Sequence, residues 1–107
     1  MYPTHENSGG PGCSGLIGFF TEHGPFHVDE NLNLYENPFA WNQMANMLFI
    51  EQPAGVGFSI RDPADKSACN DEQSAKDNHA LIQAFFERFP ERKSNPFYLA
   101  SESYGGE

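Results

Sequence analysis

A chain of 107 residues with 38% hydrophobic content is long enough for one small domain with a modest core and short for an α/β enzyme. Six basic against fifteen acidic residues give a formal charge of -9, which disfavours nucleic-acid phosphates and anionic membrane surfaces as partners. No apolar run approaches the roughly 18 residues that span a bilayer, so membrane insertion is not expected.

The opening segment, Met1-Tyr2-Pro3-Thr4-His5-Glu6-Asn7, has neither the basic region nor the apolar core of a signal peptide. The compartment is therefore open, and any targeting sequence is expected outside this chain. Cys13 and Cys69 permit one bridge without requiring it. Nothing in the composition fixes an oligomeric state or calls for a cofactor.

Residues 8–15, Ser8-Gly9-Gly10-Pro11-Gly12-Cys13-Ser14-Gly15, hold four glycines and a proline, which excludes regular helix and central strand and requires a structured turn. The loop lacks the Gly-Lys-Ser/Thr ending of a nucleotide-binding P-loop, and no strong strand precedes it. Leu16-Ile17-Gly18-Phe19-Phe20 is a short apolar segment suited to one helical turn lining a pocket. Residues 24–42 scatter aromatics among Asn, Pro and Asp, and read as an irregular excursion with short extended pieces.

Met47-Leu48-Phe49-Ile50 is a continuous apolar run that fits a strand buried on both faces, although its length alone leaves a buried helix turn open. Glu51-Gln52-Pro53 ends it, and Ala54-Gly55-Val56-Gly57-Phe58-Ser59 forms a second glycine-bearing loop. Glu51 and Gln52 admit two readings: functional groups at a strand end near a cleft, or Gln52 bonding turn backbone while Pro53 stops the strand.

A helix follows. Asn70 caps it, Asp71 and Glu72 suit its first turn, and Gln73 stands at the third position of a capping box. Ala75, Asn78, Ile82, Phe85, Phe86 and Phe89 repeat near the helical period, Leu81 widens the stripe, and Pro90 closes it. After a polar link, Phe97-Tyr98-Leu99-Ala100 reads as a second buried strand, completing a βαβ unit of a parallel sheet. The fold class is α/β. Phe19, Phe20, Phe49, Phe85, Phe86 and Phe89 are expected in the core, whereas Trp41 and Tyr104 have polar handles that suit a cleft border.

Ser103 then lies beyond a strand's carboxyl end, where open α/β sheets place their chemistry. Small Ser101 and Gly105 flank it at two residues' distance, as a tight strand-to-helix elbow presenting a nucleophilic hydroxyl requires. A serine nucleophile needs a base and an orienting carboxylate, and only Tyr104-Gly105-Gly106-Glu107 follows it. His5, His23, His27 and His79 are not expected to supply that base, and Cys13, Cys69 and the histidines match no compact zinc spacing.

From Ser8 onward the chain resembles the serine carboxypeptidases, enzymes of α/β-hydrolase fold that remove residues from peptide C-termini. Three blocks occur in the right order: Gly9-Gly10-Pro11-Gly12-Cys13-Ser14, Gln52-Pro53-Ala54-Gly55-Val56-Gly57-Phe58-Ser59 and Glu102-Ser103-Tyr104-Gly105-Gly106. Between them stand Phe19-Phe20-Thr21-Glu22-His23-Gly24-Pro25, Asn37-Pro38-Phe39-Ala40-Trp41-Asn42 and Phe85-Phe86-Glu87-Arg88-Phe89-Pro90. Any one block is a weak signal; the ordered set is specific.

The resemblance implies that residues 1–107 form an incomplete N-terminal portion of a carboxypeptidase catalytic domain, ending before the triad aspartate and histidine. It implies Ser103 as nucleophile, the Gly10 and Tyr104 amides as oxyanion hole, and Ser8, Gly9, Glu22 and Glu102 around the substrate's terminal carboxylate. Carboxylates crowded in this way bind best with a proton to share, so peptide binding is expected to strengthen at acidic pH. Peptide or protein C-termini are the implied partners, no cofactor is implied, and secretion or a lysosomal or vacuolar location is implied for the complete form.

Two departures bear on recognition. Ser8 stands where the family has Asn, offering one donor in place of an amide's two, and the elbow reads Ser101-Glu102-Ser103-Tyr104-Gly105-Gly106 in place of Gly-Glu-Ser-Tyr-Ala-Gly. The family cysteine matching Cys13 pairs with one in the missing part, which leaves Cys13 free here; Cys69 matches no family cysteine. The alternatives are a noncatalytic remnant and a small peptide-binding module built on the Gly9–Gly12 loop and Glu22. In either form the partial sheet is expected to carry raw edges and an exposed apolar face.

Overall fold

The computed structural model of the chain describes residues 4–6, 12–66, 70–101 and 103–106, with the backbone alone at 4–6 and 104. Strand β1 (Thr4–Glu6) pairs in parallel with β4 (Met47–Phe49), in the register Thr4 to Met47, His5 to Leu48 and Glu6 to Phe49. Between them run helix α1 (Leu16–Thr21) and the antiparallel pair β2 (Phe26–Val28) and β3 (Leu34–Glu36). The 18-residue helix α2 (Asp71–Arg88) follows, and short 3-10 turns lie at Trp41–Gln43, Pro90–Arg92 and Ser103–Gly106.

The strand over Met47–Phe49 is as the apolar run predicts, but it is half-buried on its length, with only the adjoining Ile50 deeply buried at 4% exposure. The expected second strand of the βαβ unit is not formed: Phe97–Ala100 has no ladder partner among the described residues. A strand is defined by its neighbour's N–H and C=O groups, and hydrophobic pattern alone cannot provide them. The parallel partner of β4 comes instead from the polar stretch at Thr4–Glu6, which has no strand signature in the sequence.

Helix α2 begins as its sequence dictates. The Asn70 side chain accepts from the Gln73 amide at 2.9 Å. The capping box is only half built, because the Gln73 side chain donates forward to Asp77 at 2.8 Å. The helix ends at Arg88, and Pro90 opens the following 3-10 turn, where its missing N–H costs nothing.

Most of the phenylalanine rings pack in two clusters. Phe19 meets Phe20 and Phe49 edge-on, with ring centroids 4.7 and 4.8 Å apart, and His23 stacks on Phe49 at 5.5 Å. Phe85, Phe86, Phe89 and Phe97 form a second group around the end of α2. The expected core is only partly realised: no residue of α2 is buried, and Leu81 and Phe89 are more than 40% exposed. The buried apolar residues among those described are Ala40, Ala45 and Ile50, a core too small to cover an 18-residue amphipathic helix.

Candidate active site

Ser103 opens the 3-10 turn Ser103–Gly106 with φ of +54°, a left-handed conformation that an L-residue with a Cβ adopts at a cost. Its side chain is exposed. A sharp turn that forces a serine into this region and holds its hydroxyl outward is what a nucleophile elbow requires. Gly106 lies beside the Ser101 hydroxyl, where a Cβ would make an ordinary contact at 3.6 Å.

Glu22 follows α1. Its backbone N–H caps the helix by donating to the Gly18 carbonyl at 3.1 Å, and its side chain is about half exposed, 3.9 Å from His23 Nδ1. The segment around it is held from several sides. Gly24 approaches the Phe19 carbonyl so closely that any Cβ would collide with it. The His23 ring lies between Trp41, at 4.6 Å, and Phe49. The Trp41 amide donates to the His23 carbonyl at 3.0 Å.

Asn37 completes this clamp. It is 2% exposed, and its Nδ2 donates to the carbonyls of both Glu22 and Gly24 at 2.9 Å. Its Oδ1 accepts from the Phe39 amide at 2.9 Å, and its own N–H donates to the Pro25 carbonyl at 2.9 Å. Each polar group of the buried side chain is thus engaged. Sequence reading places Asn37 in a recognisable block without giving it a role; the available signal is Asn before Pro, a residue that organises turns through its side chain.

A second junction forms around Glu51. One carboxylate oxygen accepts from the Ser14 hydroxyl and the other from the Phe58 amide at 2.6 Å. Ser14 Oγ in turn accepts from the Leu16 amide at the start of α1, at 3.2 Å. Of the residues Glu51-Gln52-Pro53, Glu51 bonds turn backbone, through the Phe58 amide. The Gln52 Oε1 is buried without a hydrogen-bond partner among the described residues.

The remaining expected site residues are placed less fully. Ser8, Gly9, Gly10 and Glu102 lie outside the described residues, and Tyr104 contributes backbone to the 3-10 turn. Among the described residues no hydrogen bond joins Glu22 to Ser103. Cys13 is a free, exposed thiol, and Cys69 lies outside the described residues. His27 packs on Tyr35 with Nδ1 2.9 Å from the Phe20 carbonyl, and His79 is exposed on α2.

A left-handed, exposed serine beside small residues, in a partial α/β architecture, has the backbone geometry of a nucleophile elbow. Comparison with known proteins narrows this to one family: the serine carboxypeptidase model matches residues 8–107, and the chain belongs to that family. It is 50% identical over 101 residues to the lysosomal protective protein of Mus musculus, covering 92% of this chain and 21% of that protein. It is 44% identical over 99 residues to carboxypeptidase Y homolog A of Botryotinia fuckeliana, with 92% and 18% covered. Among solved structures it superposes with a TM-score of 0.84 and 33% identity on a prohormone-processing carboxypeptidase from Saccharomyces cerevisiae, over 98% of this chain and 23% of that one. The chain thus spans about a fifth of the length of these relatives.

Proposed function

We propose that residues 1–107 are the nucleophile-bearing portion of a serine-type carboxypeptidase, with the triad aspartate and histidine supplied from outside them. Ser103 Oγ attacks the carbonyl of the last peptide bond while the histidine takes its proton. The Gly10 and Tyr104 amides hold the oxyanion, and the histidine returns the proton to the departing amino group. Water then attacks the Ser103 ester, giving the shortened peptide and the free serine. Ser8, Gly9, Glu22 and Glu102 receive the substrate's terminal carboxylate, which restricts cleavage to chain ends.

The observation that carries this reading is the left-handed, solvent-facing Ser103 in a chain of this family. Active-site titration with an organophosphorus serine reagent tests it. The 107-residue chain alone is expected to stay unlabelled, and a form extended to include an aspartate and a later histidine is expected to label stoichiometrically at Ser103. Carboxypeptidase activity that survives Ser103→Ala overturns the assignment. Peptide binding without labelling in the extended form favours a noncatalytic module.

A further inference from the structure

The carboxypeptidase reading assigns Glu51 nothing, yet its carboxylate joins its own segment to a loop seven residues on and to another 37 residues back. Ser14, 37 residues upstream, belongs to the first glycine-rich loop and touches the start of α1 through the Leu16 amide. Phe58 belongs to the second glycine-bearing loop, 54–59, and Glu51 itself stands two residues past β4. Gly57 shows that the site is shaped around this group. Its φ is +54°, and a Cβ on it would occupy the space of the Glu51 carboxylate. Ser14 lies four residues after Gly10, whose amide the proposed chemistry uses.

We propose that Glu51 is a positioning residue, a clasp that fixes Ser14, at the end of the first glycine loop, against the second glycine-bearing loop, and that turnover at Ser103 depends on this junction. Its role rests on the carboxypeptidase reading, but the clasp itself can be tested separately. Ser14 and Phe58 each bond one oxygen of the Glu51 carboxylate. If the clasp couples the loops, loosening either side loosens the other by the same free energy.

Hydrogen exchange by mass spectrometry on the extended form, at low micromolar concentration, reads this coupling. Ser14→Ala is expected to speed exchange across residues 55–59 by about fivefold, the loss of roughly one hydrogen bond. Ser14→Thr, which retains the hydroxyl, is expected to restore the wild-type rate. Gly57→Ala is expected to speed exchange across residues 14–17. An unchanged rate at 55–59 in Ser14→Ala overturns the clasp, and an unchanged rate over α2 in the same variant separates a local release from general unfolding.

The functional arm uses the extended, labelling-competent enzyme and counts kcat per organophosphorus-titrated site. A merely structural role lowers the number of titratable sites and leaves turnover at each one intact. A positioning role lowers turnover per site, by roughly tenfold in Glu51→Ala and Ser14→Ala. Unchanged turnover per titrated site overturns the positioning role. Failure of the wild-type enzyme to label refutes the carboxypeptidase reading, while the exchange data still decide the clasp.

Discussion

The Asn37 side-chain amide donates at once to the carbonyls of Glu22 and Gly24, 15 and 13 residues upstream, from a position 2% exposed to solvent. Backbone that is neither helix nor strand needs such partners, because a buried carbonyl without a donor costs as much as a lost hydrogen bond. The bend after α1, and with it Glu22, is therefore held by an amide on the far side of the β2–β3 hairpin.

Asn37→Ala removes both donors and is expected to destabilise this bend by about 1–3 kcal/mol, counting the buried Gly24 acceptor left unsatisfied. Asn37→Asp is expected to be at least as harmful, since it points a carboxylate oxygen at two carbonyls. The check is exchange of the Trp41 amide, which donates to the His23 carbonyl within the same bend. Protection equal to wild type in both variants would show that Asn37 does not hold the segment.

The strain at Ser103 gives a second prediction. A left-handed conformation costs a non-glycine residue roughly 1 kcal/mol more than glycine, so Ser103→Gly is expected to be more stable than Ser103→Ala by about that amount. Both variants lack the hydroxyl, so the comparison isolates the backbone. Denaturant midpoints in an extended, cooperatively folding form would measure it; equal midpoints would mean the turn relaxes without cost.

How much of this was legible in the sequence depends on how local the determinant is. The Asn70 cap, the α2 span ending before Pro90, the strand at Met47–Phe49 and the tight turn at Ser103 are set by nearby residues, and each is found where the letters place it. The pairing of β1 with β4 was not legible: three polar-flanked residues become a strand only because β4 lies alongside. Phe97–Ala100 is the converse, a strand-like run with no ladder partner among the described residues. The Ser14–Glu51 and Asn37–Glu22 contacts were invisible for the same reason, since each joins segments whose approach is a tertiary outcome.

That dependence on neighbours also governs behaviour in solution. Leu32, Phe39, Met44, Phe58, Ile60 and Leu99 are each more than two-thirds exposed, and α2 buries none of its residues. Apolar surface on this scale drives association. The 107-residue chain expressed alone is expected to aggregate, bind a hydrophobic dye, and unfold without a sharp transition. A soluble monomer in analytical ultracentrifugation with a cooperative melt would contradict this.

The hairpin tip carries a pH dependence of its own. Asp29 accepts from the Asn33 side chain at 3.0 Å and from the Asn33 and Asn31 amides at 2.8 Å. These bonds, the Asn33 side chain foremost, favour the carboxylate and lower the pKa of Asp29 below its ordinary value of 3.8. Because the folded value lies below the unfolded one, the stabilisation is fully present above pH 3.8 and is lost as pH falls through the folded pKa. The Asn31 and Asn33 amide proton shifts are expected to titrate together with a midpoint below 3.8, and to become flat over this range in Asp29→Asn. A midpoint at or above 3.8 would mean that the three donors do not hold the carboxylate in solution.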